Sequence, residues 1–411
     1  MKPTVLIATT SLWFPTARLA AALSHAGCTV DAFCGPRHPM VKLRGVRRTY
    51  PYRGLMALWS FADAIRAAKP DLIVPGDDLA TSHLHRMYER ESQRGPAGQP
   101  ICSLIERSLG SAASFPVVYG RTAFMELARE AGIRAPRTEV IGKGDALRKW
   151  IARVGFPTVL KANGTSGGDG VRVVHTLEEA EEAFRTLQAP PLFLRAVKRA
   201  VVRSDKTLLW PSLFRQRTVV NAQEFVSGRE ATSAVACWQG KVLASLHFEV
   251  LNKRDAAGPS SVVRLIDNAE MSSGAETMVS RLNLSGMHGF DFMLAADTGH
   301  AHLIEINPRA TQVGHLRLGT GHDLPAALYA ALSGEAEHAA PKITGNDTIA
   351  LFPQEWTRDP ASPFLRSAYH DVPWDEPELL RDFAGTRQKP GAVDFRQAPR
   401  HGFSAVRLPR L

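Results

Sequence analysis

The sequence predicts an α/β chain that passes into α+β architecture, and three observations carry that class. Short β-branched runs alternate with helical stretches over residues 1–91, the pattern of βαβ units on a parallel sheet. From about 155 to 306 the chain is instead dominated by β-patterned segments with few helices between them. At 411 residues, 44% hydrophobic and 22% charged, the chain is long and apolar enough to bury more than one core.

The elements follow in order. TVLIAT at 4–9, TVDAF at 29–33 and DLIVP at 71–75 read as strands, with helices near 15–26, 54–68 and 77–91. The opening MKPTVLIATTSLWF lacks a small-residue cleavage site and reads as a first strand, not a signal peptide. Ligands of parallel sheets sit beyond the carboxyl ends of the strands, so VPGDD at 74–78 is a candidate rim. Asp77 and Asp78 either touch a ligand or simply start a helix, the second being the simpler reading. RGPAGQP at 94–100 reads as an exposed loop. A helix at about 121–131 ends at Gly132 and Pro136, and another is expected at 144–154 before the strand PTVLKA. Strands follow near 171–174, 218–226, 230–238, 241–250, 260–265, 286–294 and 301–306, interrupted by helices near 176–188 and 267–282. A helix at 323–333 leads into a Pro-, Trp- and Arg-rich tail from about 340. That tail carries LFPQEW and YHDVPWDEP and reads either as a cover for a site or as a dimer contact.

Bulk properties exclude several classes. No apolar run approaches the roughly 20 residues that cross a bilayer. Cys28, Cys34, Cys102 and Cys237 show no CxxC spacing, which argues against a zinc site or disulfide framework and fits a reducing cytoplasm. The net charge of +10 is concentrated in two segments. Residues 37–53 hold six Lys/Arg and no acid, and residues 195–217 hold seven against Asp205 alone. Neither has the interleaved aromatics of a single-strand binder, so anionic small molecules suit them at least as well as a polynucleotide.

Three stretches carry chemistry. In VLKANGTSGGDGVRVV (159–174) a strand ends at Lys161, and Gly164, Gly167, Gly168 and Gly170 follow with Thr165, Ser166 and Asp169 among them. Glycines let backbone N–H groups converge on phosphate oxygens, and a strand–loop–strand arrangement is a flap, not a Walker loop. Taken alone it reads equally as a plain glycine hairpin. In QEFVSGRE (223–230), Gln223, Phe225 and Val226 offer an apolar edge for a purine and Glu230 a carboxylate for ribose hydroxyls; the plain alternative is a hairpin with an exposed glutamate. In GFDFML (289–294) and LIEINPR (303–309), alternation puts Glu305 and Asn307 on one face, and a hairpin across AADTGHA brings Asp291 beside them. Hard oxygen ligands of this kind suit magnesium on nucleotide phosphates. Arg309 follows, a guanidinium able to grip a phosphoryl or carboxylate group bidentately.

In this order and spacing the three stretches resemble the ATP-grasp superfamily, of the carboxylate–amine ligase type seen in carbamoyl-phosphate synthase large subunits and D-alanine–D-alanine ligases. The resemblance covers roughly 115–335. It implies an N-terminal parallel α/β domain at 1–115, an ATP-grasp domain at 116–335 with a flap subdomain at about 137–222 and a C-terminal subdomain at about 223–335, and an extension at 336–411. Carried over by motif, Lys161 contacts the α/β phosphates and Thr165, Ser166, Gly167, Gly168 and Gly170 close over them. Gln223, Phe225 and Val226 frame adenine and Glu230 binds ribose. Asp291, Glu305 and Asn307 hold one or two magnesium ions, with manganese an accepted substitute, and Arg309 steadies the transferred phosphoryl group. The family often has a lysine where this chain has Arg121, which keeps the charge and adds a bidentate fork.

The expected activity is an ATP-dependent ligase that joins a small-molecule carboxylate to an amine or other nucleophile through an acylphosphate. Alternatives are a phosphotransferase, a biotin-dependent carboxylase, and a nucleotide-binding regulatory or nucleic-acid-associated protein. Arg195, Lys198, Arg199, Arg203, Lys206, Arg215 and Arg217 are candidates for receiving an anionic substrate, with a solvated loop as the alternative. His247, Glu249, His288 and His315 fit a pocket lining and a core placement equally well.

Overall fold

The computed structural model describes residues 2–163, 170–189, 218–255, 258–336 and 341–386, the last five of these by backbone alone. Three sheets follow one another along the chain.

The first is a parallel sheet of β1 (Thr4–Ala8), β2 (Thr29–Cys34), β3 (Val46–Pro51) and β4 (Leu72–Pro75) in the order β3-β2-β1-β4. β1 and β4 are almost wholly buried, as apolar runs covered on both faces should be. Helices Phe14–His25 and Ala57–Ala68 pack with Leu23 and Phe61 on opposite faces. β3 was not expected. Its sequence VRRTYP is an exposed edge carrying Arg47 and Arg48, so it lacks the apolar signature by which the others were legible. Nor is RGPAGQP a loop of any length. It holds a short 3-10 turn, and helix Gln99–Leu109 begins with Pro100 in its first turn, where a missing N–H costs nothing.

The second sheet is antiparallel: β5 (Thr138–Ile141), β6 (Thr158–Ala162), β7 (Val171–Val174) and β8 (Val220–Glu224), in the order β5-β8-β6-β7. Leu160, Ala162, Val220 and Ala222 face Trp150 and Phe184 of helices Gly144–Val154 and Leu177–Gln188. By alternation, Lys161, Asn221 and Gln223 therefore occupy the opposite face.

The third sheet runs β13-β12-β9-β10-β11-β14-β15. Its strands are β9 (Gly228–Trp238), β10 (Lys241–Lys253), β11 (Ser260–Leu265), β12 (Gly286–Ala295), β13 (Ala301–Asn307), β14 (Thr348–Ala350) and β15 (Tyr369–His370). Helix Ala269–Arg281 buries Met271 and Met278 against Val235, Phe290 and Phe292, while helix Leu324–Ser333 covers the other face near Ala234 and Leu246.

The described part of the tail, 341–386, packs against the rest of the molecule. β14 adds to the free edge of β11, and buried Asp371 accepts from Arg18 at 2.5 Å and pairs with His315 at 2.7 Å. Gln354 donates to Gln312. Among the described residues no helix is long and apolar enough to cross a membrane, and all four cysteines are free and buried.

Candidate active site

The strand pair β12/β13 assembles the acidic cluster. Asp291 stands opposite Glu305, and Asn307 lies opposite Gly289, two pairs further along. The Asn307 Nδ2 donates to Asp291 Oδ2 at 2.8 Å and Thr232 Oγ1 donates to Asp291 Oδ1 at 2.9 Å. Two carboxylates and a carboxamide thus share one face, as alternation predicted. Burial and the neighbouring Glu305 raise the Asp291 pKa against the help of its two hydrogen bonds. Glu305 behaves oppositely. Burial pushes its pKa up, but the charges of Arg121 and Lys161 outweigh burial and hold it below the usual range.

Those two cations come from different elements. Arg121 opens helix Arg121–Glu130 and reaches Glu305 Oε2 with Nη1 at 2.9 Å. Lys161 is buried on β6. Its pKa falls to about 8, first because burial disfavours the ammonium and then because Arg121 repels it, with Glu305 and Asp291 opposing. Asn221, which the sequence reading passed over, ties this corner together. It donates to Asn163 Oδ1 at 2.8 Å and accepts from Thr122 Oγ1 at 3.1 Å, fixing the residue after Arg121.

Arg309 closes the far end. Its Nε donates to Asp78 Oδ1 at 3.0 Å, Nη2 to Asn307 Oδ1 at 3.1 Å and Nη1 to the Ala310 carbonyl at 3.3 Å. Gly289 lets the following loop lie flat, because a Cβ there would meet Thr311 Cγ2 at 2.3 Å. Of VPGDD, Asp77 caps a helix, as the simpler reading has it, and Asp78 is the first residue of that helix and pairs with Arg309.

The remaining predicted residues are less closely gathered. Gln223 is buried and donates to Thr138 Oγ1, and Phe225 and Val226 lie half-buried between β8 and β9. Glu230 lies on β9 two residues before Thr232 and so shares its face, but it is paired with Lys253 Nζ at 2.6 Å. Gly170 is buried, its carbonyl accepting from Ala162 N. Thr165, Ser166, Gly167 and Gly168, and the basic segment 195–217, lie outside the described residues.

None of the four extra candidates stands in the acidic cluster. His247 is buried between Ser233 and Ser272, Glu249 pairs with Arg229, His288 donates to the Ser285 carbonyl, and His315 belongs to the Asp371 cluster. Asn221, Thr122 and Thr232 were missed because a single polar residue in a strand or helix start carries no pattern of its own.

Among the described residues no three His, Cys, Asp or Glu side chains form a metal cage. Two carboxylates and an amide would need ligand oxygens to complete a magnesium shell, which is the usual situation for a nucleotide-borne ion. Hard oxygen donors facing Lys161, Arg121 and Arg309 fit such an ion with its phosphates.

Comparison with known proteins places the likeness at the level of family and fold. Residues 124–313 match the model of the ATP-grasp domain. The carbamoyl phosphate synthase large chain of Thermus thermophilus is 24% identical over 215 residues, covering 52% of this chain and 19% of its own. The chain spans between 6 and 32% of the length of the curated relatives it matches. Among solved structures, the L-amino acid ligase of Bacillus licheniformis superposes with TM-score 0.56 at 18% identity, covering 84% of this chain and 79% of that one. The biotin carboxylase domain dimer of Hydrogenobacter thermophilus 2-oxoglutarate carboxylase, solved with MgADP and bicarbonate, gives 0.55 at 15%, covering 82% and 70%. At such identities the superpositions establish the fold.

Proposed function

We propose that this chain, whose residues 124–313 match the ATP-grasp domain, is an ATP- and magnesium-dependent ligase that activates a substrate carboxylate for attack by an amine. The observation that carries the reading is the convergence of Asp291, Glu305 and Asn307 on one face, with Lys161, Arg121 and Arg309 around them. A nucleotide binder without chemistry would have little use for two adjacent carboxylates, one with a raised pKa.

In the proposed reaction a carboxylate oxygen attacks the γ-phosphorus, the bond to the β–γ bridging oxygen breaks and ADP leaves. The amine nitrogen then attacks the acyl carbon, phosphate departs, and the nitrogen loses its proton. Asp291, Glu305 and Asn307 would hold magnesium, which when bound supplies charge neutralisation on the phosphates. Lys161 and Arg121 would take phosphate oxygens, Arg121 exchanging its Glu305 contact for them, and Arg309 would orient the transferred group. Gln223, Phe225 and Val226 would border the adenine. Glu230 would take the ribose hydroxyls if Lys253 yields it. Positioning and electrostatics suffice for such a transfer, so it needs no nucleophile–histidine pair.

The test is release of ADP and phosphate with magnesium against amino acids, dipeptides and hydroxy acids, singly and in pairs. Phosphate release that needs both an acid and an amine supports the ligase. Release of a stable phosphorylated acid or alcohol without any amine would replace it with a phosphotransferase.

A further inference from the structure

The Arg309 guanidinium has five N–H donors. Among the described residues three are engaged, by Asp78, Asn307 and the Ala310 carbonyl, and two remain for a ligand. We propose that Asp78 is a positioning residue, which holds the Arg309 fork so that those two N–H groups face the transferred phosphoryl group. The proposal rests on the ligase reading above.

Asp78 lies in the first parallel sheet's territory, 231 residues from Arg309 in the chain, at the start of helix Asp78–Ser92. Its own place is tightly determined. The preceding Asp77 caps that helix through Ala80 N at 2.9 Å. The same Asp77 carboxylate accepts from Thr9 Oγ1 at 2.7 Å, Thr10 N at 2.6 Å, Thr10 Oγ1 at 3.0 Å and both polar hydrogens of Ser11 within 3.2 Å. These bonds bind the ends of β1 and β4 into one unit. Two more bonds fix the backbone on either side of Arg309: Thr81 Oγ1 donates to the Pro308 carbonyl at 2.8 Å, and Ala310 N donates to the Pro75 carbonyl at 3.0 Å. The main chain and the side chain of Arg309 are therefore both placed by the end of β4.

The need for a holder follows from charge. Asp291 also acts electrostatically on Arg309, and Asn307 bridges the two. Without Asp78 the anions left acting on the fork are Asp291, assigned to the metal, and Asp77, already held by Thr9, Thr10 and Ser11. A guanidinium that swung onto Asp291 would lose its aim and compete with the cation. Arginine's planar fork makes such a two-sided hold effective, and lysine could not be held in a plane.

The experiment compares wild type, Asp78→Ala, Asp78→Asn, Arg309→Lys and the double variant Asp78→Ala/Arg309→Lys. It uses an acid and amine pair that the wild type turns over. Asp78→Ala should lower kcat about tenfold or more and raise the half-saturating magnesium concentration several-fold, with Tm little changed. Asp78→Asn, which keeps an oxygen acceptor for Nε, should fall between. Adding Asp78→Ala to Arg309→Lys should cost less than about twofold, since the geometry it protects is already gone. If Asp78→Ala turns over like wild type, or costs as much in the lysine background, the positioning role is overturned while the ligase stands. If the wild type consumes no ATP with any acid, the ligase reading falls and takes this inference with it.

Discussion

Asp291 and Glu305 stand directly opposite each other on paired strands, yet their surroundings drive them apart electrostatically. Burial and Glu305 lift the Asp291 pKa, whereas Arg121 and Lys161 overcome burial and lower that of Glu305. One carboxylate is ionised at a cost to the fold and its neighbour to the fold's benefit.

Neutralising them should therefore shift stability in opposite directions. Asp291→Asn keeps both of its hydrogen-bond partners and should leave Tm unchanged or raise it by on the order of 1–3 °C. Glu305→Gln strands Arg121 and Lys161 and should lower it by a similar amount. Both variants, and Glu305→Ala, should lose ATP turnover by about 100-fold or more while remaining folded. Thermal melts and ADP release read the two effects separately, and a folded, active Glu305→Ala would remove the metal assignment.

Asp371 anchors the tail to the rest of the molecule. Burial raises its pKa, but Arg18 and His315 outweigh burial and leave it depressed. A depressed folded-state carboxyl contributes stability above its unfolded pKa and loses it as pH falls through the folded value, so the contribution is complete at neutral pH and fades under acid. Asp371→Asn leaves the partly buried Arg18 without its counter-charge and should cost about 3 kcal/mol in denaturant unfolding at pH 7. Wild type and variant should converge as pH falls below the ordinary aspartate range. Parallel curves across that range would show that Asp371 is not the titrating anchor.

Gly289 offers a geometric test. Its α-carbon faces Thr311, and an alanine methyl would come within 2.3 Å of Thr311 Cγ2. Gly289→Ala should cost about 1–3 kcal/mol and push the 308–311 loop, so turnover should fall further than stability. Adding Thr311→Ser removes the clashing methyl and should restore most of both. A double variant as impaired as Gly289→Ala would mean that the glycine matters for another reason.

Much of this fold was legible because its signals are periodic. The helices at 144–154 and 121–130 and the strand at 260–265 fall where pattern and punctuation put them. β3 was hidden because an edge strand needs no apolar face, and β14 and β15 because strands of three and two residues are too short to show a period. The same holds in the candidate site. Asp291, Glu305 and Asn307 were readable from spacing along two neighbouring strands. The Arg121–Glu305 pair and the Asp78–Arg309 pair join residues 184 and 231 positions apart, contacts that only the packed chain creates.

In the proposed reaction Lys161, taking phosphate oxygens, would set a pH limit. Its ammonium, buried and repelled by Arg121, has a pKa of about 8, so above that pH the free protein increasingly holds a neutral amine where phosphate charge must be met. The corresponding stability effect has the opposite sign. Between about 8 and the ordinary lysine value the unfolded chain binds the extra proton, so the penalty for burying Lys161 is relieved as pH rises through that window. The protein should thus bind ATP less well under the very conditions that ease its folding. The expected profile of kcat/KM for ATP bends downward with an apparent pKa near 8, while Tm does not fall in parallel. Lys161→Arg keeps its charge throughout and should move the bend upward, with a lower maximum because the longer fork fits the site differently. An unshifted bend in that variant would assign the titration to another group and leave Lys161 as a buried cation of the flap sheet.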